Sequence, residues 1–160
     1  MWTIQPLIGI APLRFGMSQA EVAALPEMGP PLSTQVDTFG LFQEFRELGR
    51  PMCDYREGRI VSLAVDHHVN NVSYEGLDVF GGDPRTLLLA LQAANGGAEA
   101  GLGFVIFRNI GISTTGFYDD ATALFFNPDF PEGPRIVEAF VRGKYDSIAS
   151  EFAPIDFTTL

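Results

Sequence analysis

One cysteine, two histidines and a single lysine among 160 residues leave little reactive or metal-binding chemistry to distribute. The lone cysteine, Cys53, excludes an intramolecular disulfide framework and fits a reducing compartment. As a residue type it is most at home as a buried, inert thiol. Charges, Gly or Pro interrupt every apolar run well short of the roughly 20 residues a membrane-spanning helix needs. The opening Met1-Trp2-Thr3-Ile4-Gln5-Pro6 offers neither a basic stretch nor a small-residue cleavage site, so no export signal is expected.

Positive charge is the other scarcity. Ten basic residues, nine of them Arg, face 20 acidic ones, a net charge of -10. Such a chain repels nucleic acid; it gains solubility, and it meets a basic partner faster than a neutral one would. Two stretches carry no Lys or Arg at all. From Ile60 to Pro84 the acids are Asp66, Glu75, Asp78 and Asp83, and from Asn109 to Pro134 they are Asp119, Asp120, Asp129 and Glu132. What is plentiful is apolar: 46% of the residues, 14 of them Phe, which suffices for one substantial core in a chain of single-domain size.

Two helix starts stand out. Ser18-Gln19-Ala20-Glu21 is a capping box, in which the Ser18 hydroxyl accepts from the Glu21 amide while the Glu21 carboxylate reaches back. Val22 and Leu25 supply its buried side, and Pro26 ends the helix after about two turns. Asp83-Pro84 pairs an N-cap with Pro at the first helical position. Leu87, Leu88 and Leu91 follow at helical spacing, and Asn95-Gly96-Gly97 offers a left-handed C-cap.

Strands account for most of the rest. Val61, Leu63 and Val65 alternate with Ser62, Ala64 and Asp66 after a turn at Arg56-Glu57-Gly58, a hairpin with Met52 to Tyr55. Further strands are expected at Val72 to Phe80, Phe104 to Arg108, Ile110 to Phe117, Ala121 to Phe126 and Arg135 to Arg142. Asp146 to Phe152 reads as a short capped helix or irregular tail. Phe15-Gly16-Met17-Ser18 and Phe80-Gly81-Gly82-Asp83 each precede a helix, 65 residues apart, with four strand candidates after each. Duplication explains the match, and so does shared capping chemistry alone.

The expected fold is therefore one α+β domain over 1–160. An antiparallel sheet carries two short helices on one face, read as two tandem αββββ units at 13–80 and 81–143. If the helices cover one face, the other displays Ser62, Asp66, Phe125, Glu138 and Phe140, unless another layer or the C-terminal tail covers them.

Catalytic and metal signatures are missing. His67 and His68 are adjacent in a strand end and point to opposite faces, so they do not ligate one metal together. Cys53 has no nearby histidine motif. Gly81-Gly82, Gly96-Gly97 and Gly101-Leu102-Gly103 lack the phosphate-binding patterns and read as turns. Asp119-Asp120 suits a tight turn, a negatively charged interface or, less readily, a metal or acid–base pair. No cofactor and no metal are expected.

The segment Leu13-Arg14-Phe15-Gly16-Met17-Ser18-Gln19-Ala20-Glu21-Val22 through Leu25 resembles the L-x-x-G-M-S/T-x-x-E-V-x-x-L helix start of two related groups. One is the repeat of β-lactamase-inhibitory proteins and small outer-membrane assembly lipoproteins; the other is a set of bacterial immunity-type proteins that neutralise toxins. The match spans about a tenth of the chain. It implies short helices on an antiparallel sheet whose open face engages a protein. Unlike in the lipoproteins, neither a signal peptide nor a lipidated N-terminal cysteine is expected from Met1 to Pro6, and a cytoplasmic immunity role is therefore expected over an envelope one.

The expectation is thus a non-enzymatic, cytoplasmic inhibitor or immunity protein that occludes the active surface of a toxin or enzyme encoded by an adjacent gene. Neither nucleic acid nor membrane is expected as a partner. The contact residues expected from alternation and charge are Asp66, Tyr118, Asp119, Asp120, Glu138 and Phe140, with the two aromatics as anchors and the acids as steering groups. The competing readings are a small-ligand-binding or enzymatic domain, whose pocket would bring His67 or His68 together with two carboxylates, and a module that homodimerises through its sheet.

Overall fold

The computed structural model describes residues 1–129 and 133–160. Glu132, one of the acids in the second cation-free stretch, lies outside the described residues. The chain begins with β1 (Trp2–Gln5), β2 (Gly9–Ala11) and β3 (Leu13–Arg14), then α1 (Gln19–Ala23). A first run of strands follows: β4 (Ser33–Val36), β5 (Phe42–Phe45), β6 (Met52–Arg56) and β7 (Arg59–Asp66). After β8 (Val72–Tyr74), β9 (Leu77–Asp78) and α2 (Pro84–Asn95) comes a second: β10 (Ala98–Gly101), β11 (Phe104–Phe107) and β12 (Ile112–Thr115). The remainder is β13 (Tyr118–Asp119), β14 (Leu124–Phe125), β15 (Ile136–Phe140), a 3₁₀ turn at Asp146–Glu151, β16 (Ala153–Ile155) and a last 3₁₀ turn at Phe157–Thr159.

Local chemistry explains the boundaries. Both halves of the Ser18–Glu21 capping box form, but α1 is only five residues long, shorter than the stretch to Leu25 that the sequence suggests. Asp83 caps α2 by accepting from the Arg85 amide, and Gly96 closes it in the left-handed conformation at φ 79°. Glu57 and Gly58 both adopt positive φ and turn β6 tightly into β7. Glu75 and Gly76 do the same, so the single strand expected over Val72 to Phe80 is instead the small hairpin β8–β9.

The strands form a nine-stranded sheet in the order β16-β10-β11-β12-β15-β7-β6-β5-β4, antiparallel throughout, and a five-stranded sheet in the order β3-β2-β1-β8-β9. The small sheet contains one parallel pair, β1 with β8. Strands β13 and β14 make a separate hairpin. The protein is thus α+β and mainly antiparallel, as expected. The strand that closes the first run is β7, and the Val72–Phe80 segment belongs to the small sheet, which the sequence reading did not anticipate.

One apolar core lies on one face of the large sheet. It takes Cys53, Tyr55, Leu63, Val65, Phe107, Val137 and Ala139 from the large sheet and Trp2, Ile4, Ile10, Val72 and Tyr74 from the small one. Val22 of α1 and Leu87, Leu88 and Leu91 of α2 enter the same cluster. A smaller cluster of Ile106, Phe140, Tyr145 and Phe152, with Phe39, Phe104 and Ile148 against it, is separate from this core. Among the described residues no helix is long and apolar enough to cross a membrane.

Candidate functional site

Strand alternation and register bring polar residues together on the large-sheet face turned away from the main core. Along β7 the residues opposite Leu63 and Val65 are Ser62, Ala64 and Asp66. Their cross-strand partners are Asp54 beside Ser62, Glu138 beside Ala64 and Phe140 beside Ser62. Ser113 sits opposite Glu138, and Gln43 opposite Asp54. After Phe140 the chain turns at Gly143, whose φ is 93°, and lays Lys144 and Tyr145 over this face. The Tyr145 ring meets Phe140 edge-on at 5.0 Å and Phe39 at 5.5 Å.

Glu138 is the hub. Its Oε1 accepts from Ser113 Oγ at 3.1 Å and from the Tyr145 hydroxyl; its Oε2 accepts from Ser62 Oγ at 2.6 Å and from Lys144 Nζ. Lys144 Nζ also reaches Ser62 Oγ at 3.2 Å and stands 3.5 Å from Asp54 Oδ2. Four donors fill the carboxylate's acceptor capacity, which is how a charge at 8% exposure avoids the cost of an unsatisfied buried ion. Thus held, Glu138 organises the sheet face and is not a free base. Burial and the adjacent Glu138 charge push the Tyr145 phenol far above its usual range.

Asp54 is less completely matched. Its Oδ1 accepts from Gln43 Nε2 at 3.0 Å. Its carboxyl is raised from the ordinary value because burial outweighs the attraction of Lys144 and the bond from Gln43. A cavity of about 220 Å³ opens beside it, floored by Asp54, Glu138 and Ser113, walled by Phe104, Tyr145 and Met52, and rimmed by Asp37, Thr38 and Phe39.

A second buried ion pair lies nearer the main core. Glu44 accepts from the Tyr55 hydroxyl at 2.7 Å, from Gln19 Nε2 at 3.1 Å and from Arg46 at 3.3 Å. Cys53, fully buried in the core, has its thiol pushed up to about 12 by burial, which leaves it inert as a nucleophile at neutral pH.

The six residues expected from sequence do not form one surface. Asp66, Glu138 and Phe140 share the sheet face, while Tyr118, Asp119 and Asp120 belong to the β13–β14 hairpin. Phe140 is 2% exposed and Tyr118 5%. The first lies under the Tyr145 ring, the second packs edge-on against Phe157 at 5.3 Å. Of the two alternatives left open by the sequence, a displayed face or one covered by the tail, the second holds for Ser62, Glu138 and Phe140, which the segment after Gly143 covers; Phe125 is on the hairpin and not on this sheet, which corrects its expected place. Asp119 and Asp120 are exposed, and Asp119 caps its own turn through the Ala121 amide and the Thr122 hydroxyl. With Tyr118, Phe125 and Gly133, Asp119 also lines a cleft of about 620 Å³.

His67 and His68 stack with ring centroids 4.1 Å apart, which corrects the expectation of opposite faces: both lie just beyond β7, where the strand alternation has ended. Among the described residues no three His, Cys, Asp or Glu side chains are grouped to hold a metal. Sequence reasoning missed Asp54, although its place in the expected Met52–Tyr55 hairpin sets it on the Ser62 face. It also missed Lys144 and Tyr145, which no periodicity marks. Comparison with protein-family models, curated proteins and solved structures finds no match.

Proposed function

We propose that the protein is an inhibitor of the immunity type, which binds a toxin or enzyme encoded by an adjacent gene and occludes its active surface in the cytoplasm. The observation that carries this reading is where the charges go. Arg46 and Lys144, with side chains 1% and 5% exposed, are spent inside the fold on Glu44, Glu138 and Asp54. Two of the ten cations and three of the 20 acids are thereby internal, leaving eight against 17 elsewhere. Among the described residues the exposed Glu57, Glu75, Asp119 and Asp120 enter no ion pair. With acids outnumbering bases 17 to eight there, although exposed Arg14, Arg56 and Arg142 are likewise unpaired among the described residues, the surface favours a basic partner over an acidic one. Asp66, Asp119 and Asp120 are the acids proposed to face it.

The saturated bonding of Glu138 supports a structural use of the buried polar groups over a chemical one. The enzymatic alternative called for a histidine beside two carboxylates, and the residues lining the cavity at Asp54 and Glu138 include no histidine. The tandem αββββ reading draws support from the strand order, in which β4 to β7 and the run β10, β11, β12, β15 meet at their last strands. The test of function is co-expression with the product of the adjacent gene. A tight complex and protection of the cells that carry it are expected; no binding and no protection overturn the reading.

A further inference from the structure

We propose that the cavity beside Asp54 receives a basic side chain of the partner, the guanidinium of an arginine or the ammonium of a lysine; this deepens the binding reading above and rests on it.

The cavity's hydrogen-bonding capacity is lopsided. Its ammonium, phenol and amide donors are committed, Lys144 Nζ to Glu138 and Ser62, the Tyr145 hydroxyl to Glu138, and Gln43 Nε2 to Asp54, as is the Ser113 hydroxyl to Glu138. Among the described residues this leaves as side-chain donors only the Thr38 and Thr115 hydroxyls, groups that also accept. Glu138 is filled, but the acceptors of Asp54 and Asp37 are only partly used. Asp54, with a side chain 2% exposed, uses Oδ1 for Gln43, while among the described residues its Oδ2 makes no hydrogen bond and has only the Lys144 ammonium at 3.5 Å. Asp37 at the rim takes the Phe39 and Leu41 amides on Oδ1 alone, at 2.9 and 2.8 Å, and Oδ2 is free among the described residues. A pocket with spare acceptors selects a donor-rich group.

Charge agrees with bonding. The lining holds three carboxylates, Asp37, Asp54 and Glu138, and one ammonium, which pairs with Asp54 and Glu138, so the cavity remains negative after Lys144 and Glu138 offset each other. Its aromatic wall already holds a cation: Lys144 Nζ lies 5.5 Å from the Phe39 ring centre and 5.1 Å from that of Tyr145. At about 220 Å³ the space is below the roughly 300 Å³ where drug-sized sites begin, which suits one long side chain with an aliphatic stem against Met52, Phe104 and Ile136. Arginine is also a preferred interface anchor, because its planar fork matches a carboxylate.

The test uses butylguanidinium and butylammonium ions as probes, followed by amide chemical shifts in the intact protein. Saturable shifts at Phe39, Asp54 and Tyr145 are expected for both cations and absent for butyrate and butyramide. Asp54→Asn should weaken cation binding roughly tenfold, the scale of one charge-assisted hydrogen bond. Should that variant fail to fold, Asp37→Asn at the rim must weaken it in the same direction. No saturation, equal response to butyrate or butyramide, or unchanged binding in a folded variant overturns the proposal. Cation binding without any complex with the adjacent-gene product would keep the pocket and sink the immunity reading. A complex of unchanged affinity in Asp54→Asn would do the reverse.

Discussion

Glu138 and Asp54 face the same ammonium yet differ in how a substitution should act. Glu138→Ala strands Lys144, Ser62, Ser113 and the Tyr145 hydroxyl under the tail, and breaking a buried pair from one side typically costs about 3–5 kcal/mol. Urea denaturation should show that loss, and a cost below about 1 kcal/mol would mean that water already reaches the network. For Asp54 the informative variable is pH. Its carboxyl is raised above the ordinary 3.8, chiefly by burial. The protonated form is therefore the one the fold favours: the group's contribution to stability is complete below pH 3.8 and disappears as pH rises through the raised value. Asp54→Asn removes that titration, so the variant's stability relative to the parent should improve as pH climbs from below 3.8 through the window just above it. Urea midpoints of both proteins across that range check the sign, and a relative loss on raising pH would contradict it.

At the level of elements, the caps were legible because their chemistry is local. Ser18, Glu21, Asp83, Pro84 and Gly96 each act within four residues, and the structure uses all five as the sequence implies. Ser18→Ala should therefore cost on the order of 1 kcal/mol by removing the acceptor for the Glu21 amide, and an unchanged denaturation midpoint would refute the cap's contribution. The hairpin β6–β7 was legible for the same reason, through Glu57-Gly58. What was not legible depends on distant partners: the pairing of β1 with β8, the seating of β15 beside β7, and the choice between a displayed Ser62–Glu138 face and one covered by the tail. Gly101 shows why. A Cβ there would stand 2.2 Å from the Glu151 carbonyl oxygen, so the glycine is what lets the tail lie against β10, and nothing around it in sequence announces the neighbour 50 residues on. Gly101→Ala should cost roughly 1–3 kcal/mol as overpacking. It should also raise amide exchange in the segment Asp146–Glu151; exchange unchanged there would mean the contact does not hold the tail.

For the whole molecule, composition gave a charge balance and did not locate a surface. Net charge was readable from the count of acids and bases, but the withdrawal of Arg46 and Lys144 into the fold depends on tertiary contacts. So does the burial of Tyr118 and Phe140, whose alternation pattern says which face they take and not what covers it. The candidate site was half visible: Ser62 and Glu138 were on the expected face, whereas the residues that turn that face into a cavity come from Gln43 and Asp54 on neighbouring strands and from the tail. The central claim is that the acidic excess on the surface, Asp119 and Asp120 included, draws in a basic protein partner. It is tested most directly by the association rate of the complex with the adjacent-gene product at low and high salt, for the parent and for Asp119→Lys/Asp120→Lys. The account predicts a parent rate that falls steeply with salt and a variant that associates more slowly with a flatter salt dependence, while dissociation is little changed. Equal association rates and equal salt dependence in parent and variant would contradict it.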